Sequence, residues 1–281
     1  MTSFHRGCTF SPILPPQFAE LGVLELVPHG RDGATRTFAL RLSQPPWKDY
    51  QPGQFVMLRP ASWGLELPWA RPFSICSAGD HHLECFIQVV GHGTERMTAL
   101  KPGDAVHVWG PLGNGFAVEA DGPTLLLAGG IGIAPFVGYA QKHPKPEKLF
   151  LLFGHRAPLD WLPVAGIQKL IDVEAMHDAG PADLERFVAA VRARMEKYAA
   201  RNGLALACGP LPFLRTVQKL AARTGLRTQL SLESRMACGA GAGLGCAART
   251  TDAWPAPEQK NRPVQTCLCG PVFWADHVIL E

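Results

Sequence analysis

Four cysteines near the end of the chain have the residue type and spacing to bind a metal cluster. Cys238 and Cys246 flank a loop with glycine at every second position, and Cys267 and Cys269 follow further along. Thiolates around such a loop indicate an iron–sulfur cluster, because cluster sulfides need backbone N–H groups close by and side chains would block them. Zinc is an alternative, although its sites usually pair cysteines at shorter spacings than Cys238 and Cys246 show. Inert thiols or disulfides would also account for four cysteines in this region.

One position of the cysteine pattern departs from the plant-type cluster spacing. That spacing is C-x4-C-x2-C with a distant fourth cysteine. Cys238 and Cys246 take the first and third places, but the second place holds Gly243. We predict that Cys269 replaces the missing ligand, since residues two apart on an extended strand face the same side, with Cα atoms roughly 6.5–7 Å apart. Alternatively, Cys269 is a bystander and the cluster is three-ligated, labile or absent.

Two further turns have the composition of a dinucleotide site. Gly129-Gly-Ile-Gly-Ile-Ala-Pro135 follows the apolar segment Thr124–Ala128 and precedes a helical stretch, so its glycines would let the backbone approach a ligand. Cys208-Gly-Pro210 also ends a predicted parallel strand, at the edge where open sheets bind ligands. A buried thiol without a role is the alternative for Cys208. The predicted nucleotide-binding residues are Gly129, Gly130, Gly132 and Pro135.

An arginine and a serine share a third motif, Arg71-Pro-Phe-Ser74. An arginine fixed on a strand can bind a phosphate bidentately, and a serine hydroxyl can hydrogen-bond the edge of a flavin ring. Gly91-His-Gly-Thr94 then opens a short helix whose free N–H groups suit a pyrophosphate. These residues predict a flavin site, with an ordinary strand as the alternative for Arg71–Ser74.

Three folding units must position these motifs. Short strands broken by turns, with one short helix, predict an antiparallel barrel. After Gly115, strands alternate with helices, which predicts a parallel, doubly wound α/β sheet. We place the barrel at residues 1–118, the nucleotide-binding domain at 119–229 and the cysteine module at 230–281, with residues 1–18 as an arm in which Cys8 has no evident partner. The predicted barrel elements are Gly22–Val27, Thr35–Leu42, Phe55–Leu58, Phe73–Ser77, Leu83–Val90, the helix Glu95–Leu100 and Ala105–Trp109. Those of the α/β domain are Thr124–Ala128, Leu149–Gly154, the helix Leu162–Leu170, Ile171–Glu174, the helix Ala182–Ala200, Leu204–Cys208 and a helix to Ala222.

The overall composition limits the possible classes of protein. The chain has 281 residues, of which 47% are hydrophobic and 18% charged, and its formal net charge is +3. This charge is too small and dispersed to favour nucleic acid or an anionic membrane. No apolar run reaches the roughly 18 residues that a membrane span needs. We therefore expect a compact cytoplasmic protein that binds neither nucleic acid nor a membrane.

Together these motifs resemble the ferredoxin reductase-type flavoproteins and, more narrowly, the electron-transfer subunits of class 1B dihydroorotate dehydrogenase. The most specific match joins the segment from Ser231 to Gly239 with Cys267-x2-Gly-Pro-Val-Phe273. The resemblance implies FAD, NAD and a [2Fe–2S] cluster as cofactors, with Ser74 and Cys208 acting at the reacting rings. It assigns FAD binding to Arg71, Pro72, Phe73, Ser74, Phe86, Ile87, Gln88, Gly93 and Thr94.

The resemblance also implies a function. A hydride would move between NAD(H) and FAD, and electrons would pass through the cluster to or from a larger flavin-containing catalytic subunit, in a heterotetramer of pyrimidine biosynthesis. A reductase subunit of a ferredoxin-, sulfide- or polysulfide-linked complex is an alternative, and so is a redox-inactive scaffold with zinc or no metal. The Thr-Asp-Asp-Gly segment of the family matches Ala175–Gly180 only in part. Arg156, just past a predicted strand end, could hold a ribose phosphate, and an ordinary surface arginine is the equally weighted alternative.

Overall fold

The computed structural model describes residues 16–30, 36–47, 49–79 and 81–280. It confirms the predicted multidomain architecture of an antiparallel barrel, an α/β sheet and a small C-terminal module. Cys8, Thr35 and most of the predicted N-terminal arm lie outside the described residues. The end of that arm, Gln17 and Phe18, forms the start of the first strand instead, because it pairs with the last strand of the barrel.

Six antiparallel strands close into the barrel, and each strand hydrogen-bonds two neighbours in the order β1-β2-β5-β4-β3-β6. Closure leaves no sheet edge unpaired. Alternate side chains point inward, so that Phe38, Leu40 and Leu42 of the second strand are fully buried. The elements are β1 (Gln17–His29), β2 (Thr37–Leu42), β3 (Phe55–Pro60), β4 (Arg71–Ala78), β5 (Leu83–Gln88), α1 (His92–Met97) and β6 (Ala105–Leu112).

The predicted helix at Glu95–Leu100 begins three residues earlier in the structure. Hydrogen bonds of the Thr94 side chain account for the earlier start. The Thr94 hydroxyl accepts hydrogen bonds from the N–H groups of Val90 and Gly91, at 3.0 and 3.2 Å, and donates to the Gly91 carbonyl. These bonds close the turn ahead of α1 and start the helix at His92.

The second unit is a six-stranded sheet in the order β14-β11-β10-β7-β8-β9. All pairs from β11 to β9 are parallel, and every residue of the central strand β7 is buried, as expected for a strand covered on both faces. The elements up to β11 are β7 (Thr124–Gly129), α2 (Ala134–Lys142), β8 (Leu149–His155), α3 (Val164–Ile167), β9 (Asp172–His177), α4 (Pro181–Ala199), β10 (Leu204–Cys208), α5 (Leu211–Thr224) and β11 (Arg227–Ser231).

The helix predicted at Leu162–Leu170 is much shorter than expected. Only α3, with four residues, is α-helical there, and a single 3-10 turn at Leu159–Trp161 precedes it. Pro163 lies at its N-cap and Gly166 within it, and glycine in a helix interior disfavours continuation.

The C-terminal module is divided between two sheets. Its elements are β12 (Ala247–Thr250), β13 (Pro263–Gln265), α6 (Thr266–Cys269), β14 (Val272–Trp274) and β15 (Val278–Ile279). Three of its strands form a small sheet in the order β13-β12-β15, whereas β14 pairs antiparallel with β11 at the edge of the large sheet. The predicted parallel sheet therefore carries one antiparallel edge strand, and the module is built into the α/β domain.

Close backbone contacts join the barrel to the helix behind the nucleotide turn. A Cβ atom at Gly138 of α2 would lie 2.4 Å from the Tyr50 hydroxyl oxygen and 2.7 Å from the Cys76 carbonyl oxygen. Glycine is therefore required where α2 crosses β4. Lys142 at the end of α2 donates a 2.7 Å hydrogen bond to the Tyr50 carbonyl and also binds Asp49. Among the described helices, none is long and apolar enough to cross a membrane.

Candidate cofactor sites

The two turns predicted to bind a nucleotide contact each other at one edge of the large sheet. Strands β7 and β10 are neighbours, with Ala128 opposite Cys208. A Cβ atom at Gly132 would lie only 2.2 Å from the Cys208 carbonyl oxygen, so the two backbones touch. Gly130 has a φ of 54°, and a Cβ atom there would meet nothing within 4 Å. The turn is thus packed on one side and open on the other, where a ligand can approach.

The Cys208 side chain is a protonated thiol at neutral pH. Burial raises its pKa to about 12, and a hydrogen bond with Ser231 opposes that rise only in part. Cys208 therefore suits a neutral contact beside a ligand and does not suit a thiolate nucleophile.

An ion pair lies at the same edge, where β8 and β9 end. Arg156 Nε donates to an oxygen of Asp178 at 2.8 Å; the arginine side chain is 77% exposed and the aspartate 13%. The carboxylate offsets the arginine charge in the region predicted to hold a ribose. A carboxylate at this place favours a ribose hydroxyl over a ribose phosphate, which argues against the phosphate role predicted for Arg156.

The structure brings together the two parts of the predicted flavin site. A Cβ atom at Gly93 of α1 would lie 3.0 Å from Arg71 Nε and 3.2 Å from Nη2, so the guanidinium lies directly against the glycine backbone. Nη1 donates to the Trp69 carbonyl at 2.6 Å, and the guanidinium is 5.5 Å from the centre of the Trp63 ring. These contacts fix Arg71 beside the turn that precedes α1, as a phosphate-binding arginine requires.

Other residues predicted to bind FAD differ in what they can offer. The side chain of Ile87 is fully buried in the barrel, so it can offer only backbone groups, whereas that of Phe73 packs against the same core but is only partly buried. Ser74, opposite Phe55 on β3, is half-buried, and Gln88 is exposed at the end of β5. Phe86 is buried on the side facing the α/β domain, where its ring meets His29 edge-on at 4.9 Å.

In the cysteine module, two of the predicted ligands already lie side by side. The sulfur atoms of Cys246 and Cys267 are 3.4 Å apart. The hydrogen bond between them lowers the pKa of Cys246 and raises that of Cys267, so Cys246 is the member of the pair that ionises first. Such a pair is suited to metal binding, because the thiolate is the ligating form.

Cys238 provides a third thiol on the glycine loop. Burial alone would raise its pKa, but the backbone N–H groups of Ala240, Gly243 and Ala242 hydrogen-bond the sulfur and bring the pKa below its usual value. The loop rests on the barrel through Gly239, whose φ is 63° and whose Cβ would lie 2.6 Å from Met57 Cγ. Position 239 requires glycine for two reasons, because its backbone is left-handed and because it lies so close to Met57.

The extended segment on which the predicted role of Cys269 as the replacement ligand depends is absent from the structure. Cys267 and Cys269 lie on α6, a helical turn and not an extended strand. Residues two apart on a helix point roughly 200° apart, so the two side chains face opposite ways. Cys269 is 2% exposed in the core that includes Phe273. Cys267 instead packs with Cys246 against the barrel.

Two residues that the sequence did not indicate hold the glycine loop. Trp109 Nε1 donates to the Cys238 carbonyl at 3.0 Å, and Gln265 Nε2 donates to the carbonyls of Gly241 and Gly243 at 2.9 and 3.2 Å. Trp109 is partly buried, and an indole N–H in such a place usually finds an acceptor. Nothing in the sequence distinguished Gln265.

The donor set fits an iron–sulfur cluster at three of its four positions. Three cysteines and a loop rich in N–H groups suit cluster sulfides. Position 243 offers no side chain. Within residues 16–30, 36–47, 49–79 and 81–280, no three His, Cys, Asp or Glu side chains converge closely enough for a single metal ion.

Solved structures define the class of fold. The chain matches a structure of an NADH-dependent reduced ferredoxin-NADP oxidoreductase with a TM-score of 0.73 and 21% identity, covering 93% of this chain and 90% of the other. It also matches the ferredoxin reductase of carbazole 1,9a-dioxygenase with a TM-score of 0.60 and 20% identity, over 76% of this chain and 68% of that one. The fold is therefore that of the ferredoxin reductases.

Sequence relatives narrow the class to one family. The model of the iron-sulfur cluster binding domain of dihydroorotate dehydrogenase B matches residues 233–279. The protein named dihydroorotate dehydrogenase B (NAD(+)), electron transfer subunit, is 31% identical in Caldanaerobacter subterraneus, over 83% of this chain and 90% of that protein. Its counterpart in Clostridium acetobutylicum is 32% identical, over 83% and 88%. The chain belongs to the family of dihydroorotate dehydrogenase B electron transfer subunits.

Family membership makes the chain part of an oxidoreductase with FAD, NAD and iron–sulfur cofactors, and it implies a separate catalytic subunit. Both cofactor predictions for the barrel and sheet are consistent with the geometry, since Arg71 meets Gly93 and the turn at Gly130 is open. The iron–sulfur cluster is the one of these cofactors for which an expected ligand is missing, because position 243 is glycine.

Proposed function

We propose that this chain transfers electrons between NAD(H), FAD and an iron–sulfur cluster, and to or from a larger flavin-containing catalytic subunit that acts on dihydroorotate. The observation that carries this proposal is that the barrel contacts both the nucleotide turn's helix and the cluster loop. On one side, β4 lies against α2, behind the nucleotide turn. On the other side, the glycine loop lies on Met57 and Trp109. The flavin domain thus contacts both the nucleotide domain and the cluster loop.

The side chains of this protein bind and orient the cofactors. Arg71 holds the FAD phosphates against the backbone at Gly93, and the Ser74 hydroxyl hydrogen-bonds the flavin edge. Gly130 and Gly132 let the backbone reach the dinucleotide, and Cys208 places an uncharged thiol beside the nicotinamide. When bound, the flavin and the cluster supply the hydride and single-electron chemistry that side chains lack.

We further propose that the assembly is a heterotetramer in the cytoplasm, formed with the catalytic subunit. The names of the relatives as electron transfer subunits support a separate partner. A redox-inactive scaffold is the second candidate function, because Gly243 stands where a ligand is expected.

An optical experiment on the full chain tests the proposed function. We expect anaerobically purified protein to show flavin bands with a broad absorbance beyond the flavin edge. Rapid mixing with NADH should bleach the flavin faster than mixing with NADPH. A colourless, zinc-containing protein would overturn the proposal in favour of the scaffold, and a flavin that neither nucleotide reduces would overturn the NAD(H) assignment.

A further inference from the structure

The cluster loop is open to solvent at the position that lacks a cysteine. Residues 242–245 are exposed, and Leu244 is 72% exposed. A Cβ atom at Gly243 would meet nothing within 4 Å. Gly243 lies in the loop between Cys238 and Cys246, and its carbonyl accepts a 3.2 Å hydrogen bond from Gln265, which holds this part of the loop in place. The missing ligand therefore leaves accessible space, which no neighbouring side chain has filled.

Donor groups close to the loop are already engaged in other contacts. Gln265 points its amide nitrogen at the loop carbonyls of Gly241 and Gly243. Ser234 donates to the Thr266 hydroxyl at 3.2 Å. The sulfur of Cys269 lies on the far side of α6, and the loop side chains at positions 240, 242 and 244 are hydrocarbon. These contacts leave the space beside Gly243 to a ligand from solution.

We infer that Cys238, Cys246 and Cys267 are the cysteine ligands of the cluster, and that an exchangeable small ligand, water or a small thiol, completes its coordination beside Gly243. The inference rests on the proposed function, since it requires a cluster in the module. It makes this chain differ from a fully cysteine-ligated relative in one measurable property: the cluster responds to small molecules in solution.

The predicted response has two parts. Added 2-mercaptoethanol should displace water at the open position and shift the EPR signal of the reduced cluster, because a thiolate is a stronger donor to iron. An exposed, incompletely held cluster should also lose iron to a chelator quickly. Gly243→Cys should fill the position from within the chain, since the added Cβ has room.

The experiment compares four forms of the full-length protein: wild type, Gly243→Cys, Gly243→Ala and Cys269→Ser. Each is purified anaerobically with FAD and measured for iron, acid-labile sulfide and EPR spectrum with and without 2-mercaptoethanol. We expect the thiol to shift the spectra of all forms except Gly243→Cys. That variant should lose iron to a chelator at least tenfold more slowly. Gly243→Ala is the matched control, as it adds the Cβ atom without a ligand.

Each remaining outcome separates the inference from the proposed function. A wild-type spectrum that ignores the thiol, with iron loss as slow as in Gly243→Cys, would overturn the inference and show that the chain supplies its own fourth ligand. Absence of iron from both forms, with a flavin that NADH does not reduce, would overturn the proposed function itself.

Discussion

Arg71 is held by contacts on one side and leaves its other edge directed at the turn before α1. Its Nη1 is bound to the Trp69 carbonyl, whereas Nε and Nη2 lie along the Gly93 backbone. A phosphate placed over that turn would accept hydrogen bonds from both atoms. The Arg71 guanidinium thus contacts both β4 and α1. The Arg-Pro-Phe-Ser motif alone did not show that these two elements meet.

We predict that Arg71→Ala weakens FAD binding. A charge-assisted hydrogen bond contributes about 1.5–3 kcal/mol, which corresponds to roughly 10- to 150-fold in affinity. Fluorescence titration of the apoprotein with FAD measures the change. Arg96→Ala is the control. Arg96 lies on α1, the helix whose Gly93 Arg71 contacts, but its guanidinium binds Glu66 at 2.9 Å. Unchanged FAD affinity in Arg71→Ala, or an equal loss in the control, would show that Arg71 does not contact the cofactor.

Asp178 is predicted to set the preference for NADH over NADPH. Its carboxylate lies at the nucleotide edge and neutralises Arg156, so a ribose phosphate would meet like charge there. Asp178→Asn should lower the ratio of NADH to NADPH reduction rates about tenfold, equivalent to about 1.4 kcal/mol. Stopped-flow reduction of the flavin measures both rates. Asp172→Asn, exposed at the opposite end of β9, should leave the ratio unchanged. A ratio that Asp178→Asn does not alter would place the ribose elsewhere.

At the scale of elements, one buried amide joins the end of the barrel to the C-terminal strand. Asn114 Nδ2 donates to the carbonyls of Val272 and Cys269 at 2.8 and 3.4 Å, and its Oδ1 accepts from the Val272 N–H at 3.0 Å. The side chain is buried between β6 and β14. It therefore hydrogen-bonds three backbone groups at the start of β14 and the end of α6.

Asn114→Ala should destabilise the protein, because it leaves the Val272 N–H and carbonyl buried without these partners. Each unsatisfied group costs about 1–3 kcal/mol, so for these two groups we expect a loss of about 2–6 kcal/mol in the free energy of unfolding. Urea denaturation followed by near-ultraviolet circular dichroism measures it. Thr216→Ala, which removes a hydroxyl bonded within its own helix, is the control. A loss below about 0.5 kcal/mol, the range of ordinary surface changes, would contradict this account.

Strand positions were predicted well where apolar periodicity and turns agreed. The limits of Leu204–Cys208 are those of β10, and the predicted barrel strands overlap β1 to β6. Where the prediction and the structure differ, contacts between distant parts of the chain account for the difference. β1 extends to Gln17 because it pairs with β6, and β14 joins the large sheet through residues far along the chain. Local sequence carries little information about such pairings.

The candidate sites show the same division. The Arg71 and Gly93 motifs, and the two turns of the nucleotide site, come together as predicted. The error at Cys269 came from treating two residues before Gly270 as extended, when four residues form a helical turn. A turn this short has no periodicity for the sequence to show, and it reverses which side chains face each other.

At the scale of the whole molecule, the loop that holds the cluster ligands is also an exposed apolar surface. Leu244 is 72% exposed at its tip, while Phe18, 67% exposed, stacks on His107 and Trp109 beside the loop. Small residues surround the cysteines, so another protein can approach the loop closely. A large exposed apolar side chain at a loop tip is a candidate contact for another protein. A partner that exchanges electrons with the cluster would dock here.

We therefore predict that Leu244→Glu weakens binding to the catalytic subunit without unfolding the chain. Burying a leucine contributes about 1.5–3 kcal/mol, so its loss corresponds to roughly 10- to 150-fold in affinity. Co-expression and pull-down with a dihydroorotate-oxidising subunit, followed by surface plasmon resonance, measure the change. Leu184→Glu is the control, because Leu184 is also exposed but lies on α4. If both variants bind as tightly as the wild type, the partner docks on a surface that excludes the tip of the cluster loop.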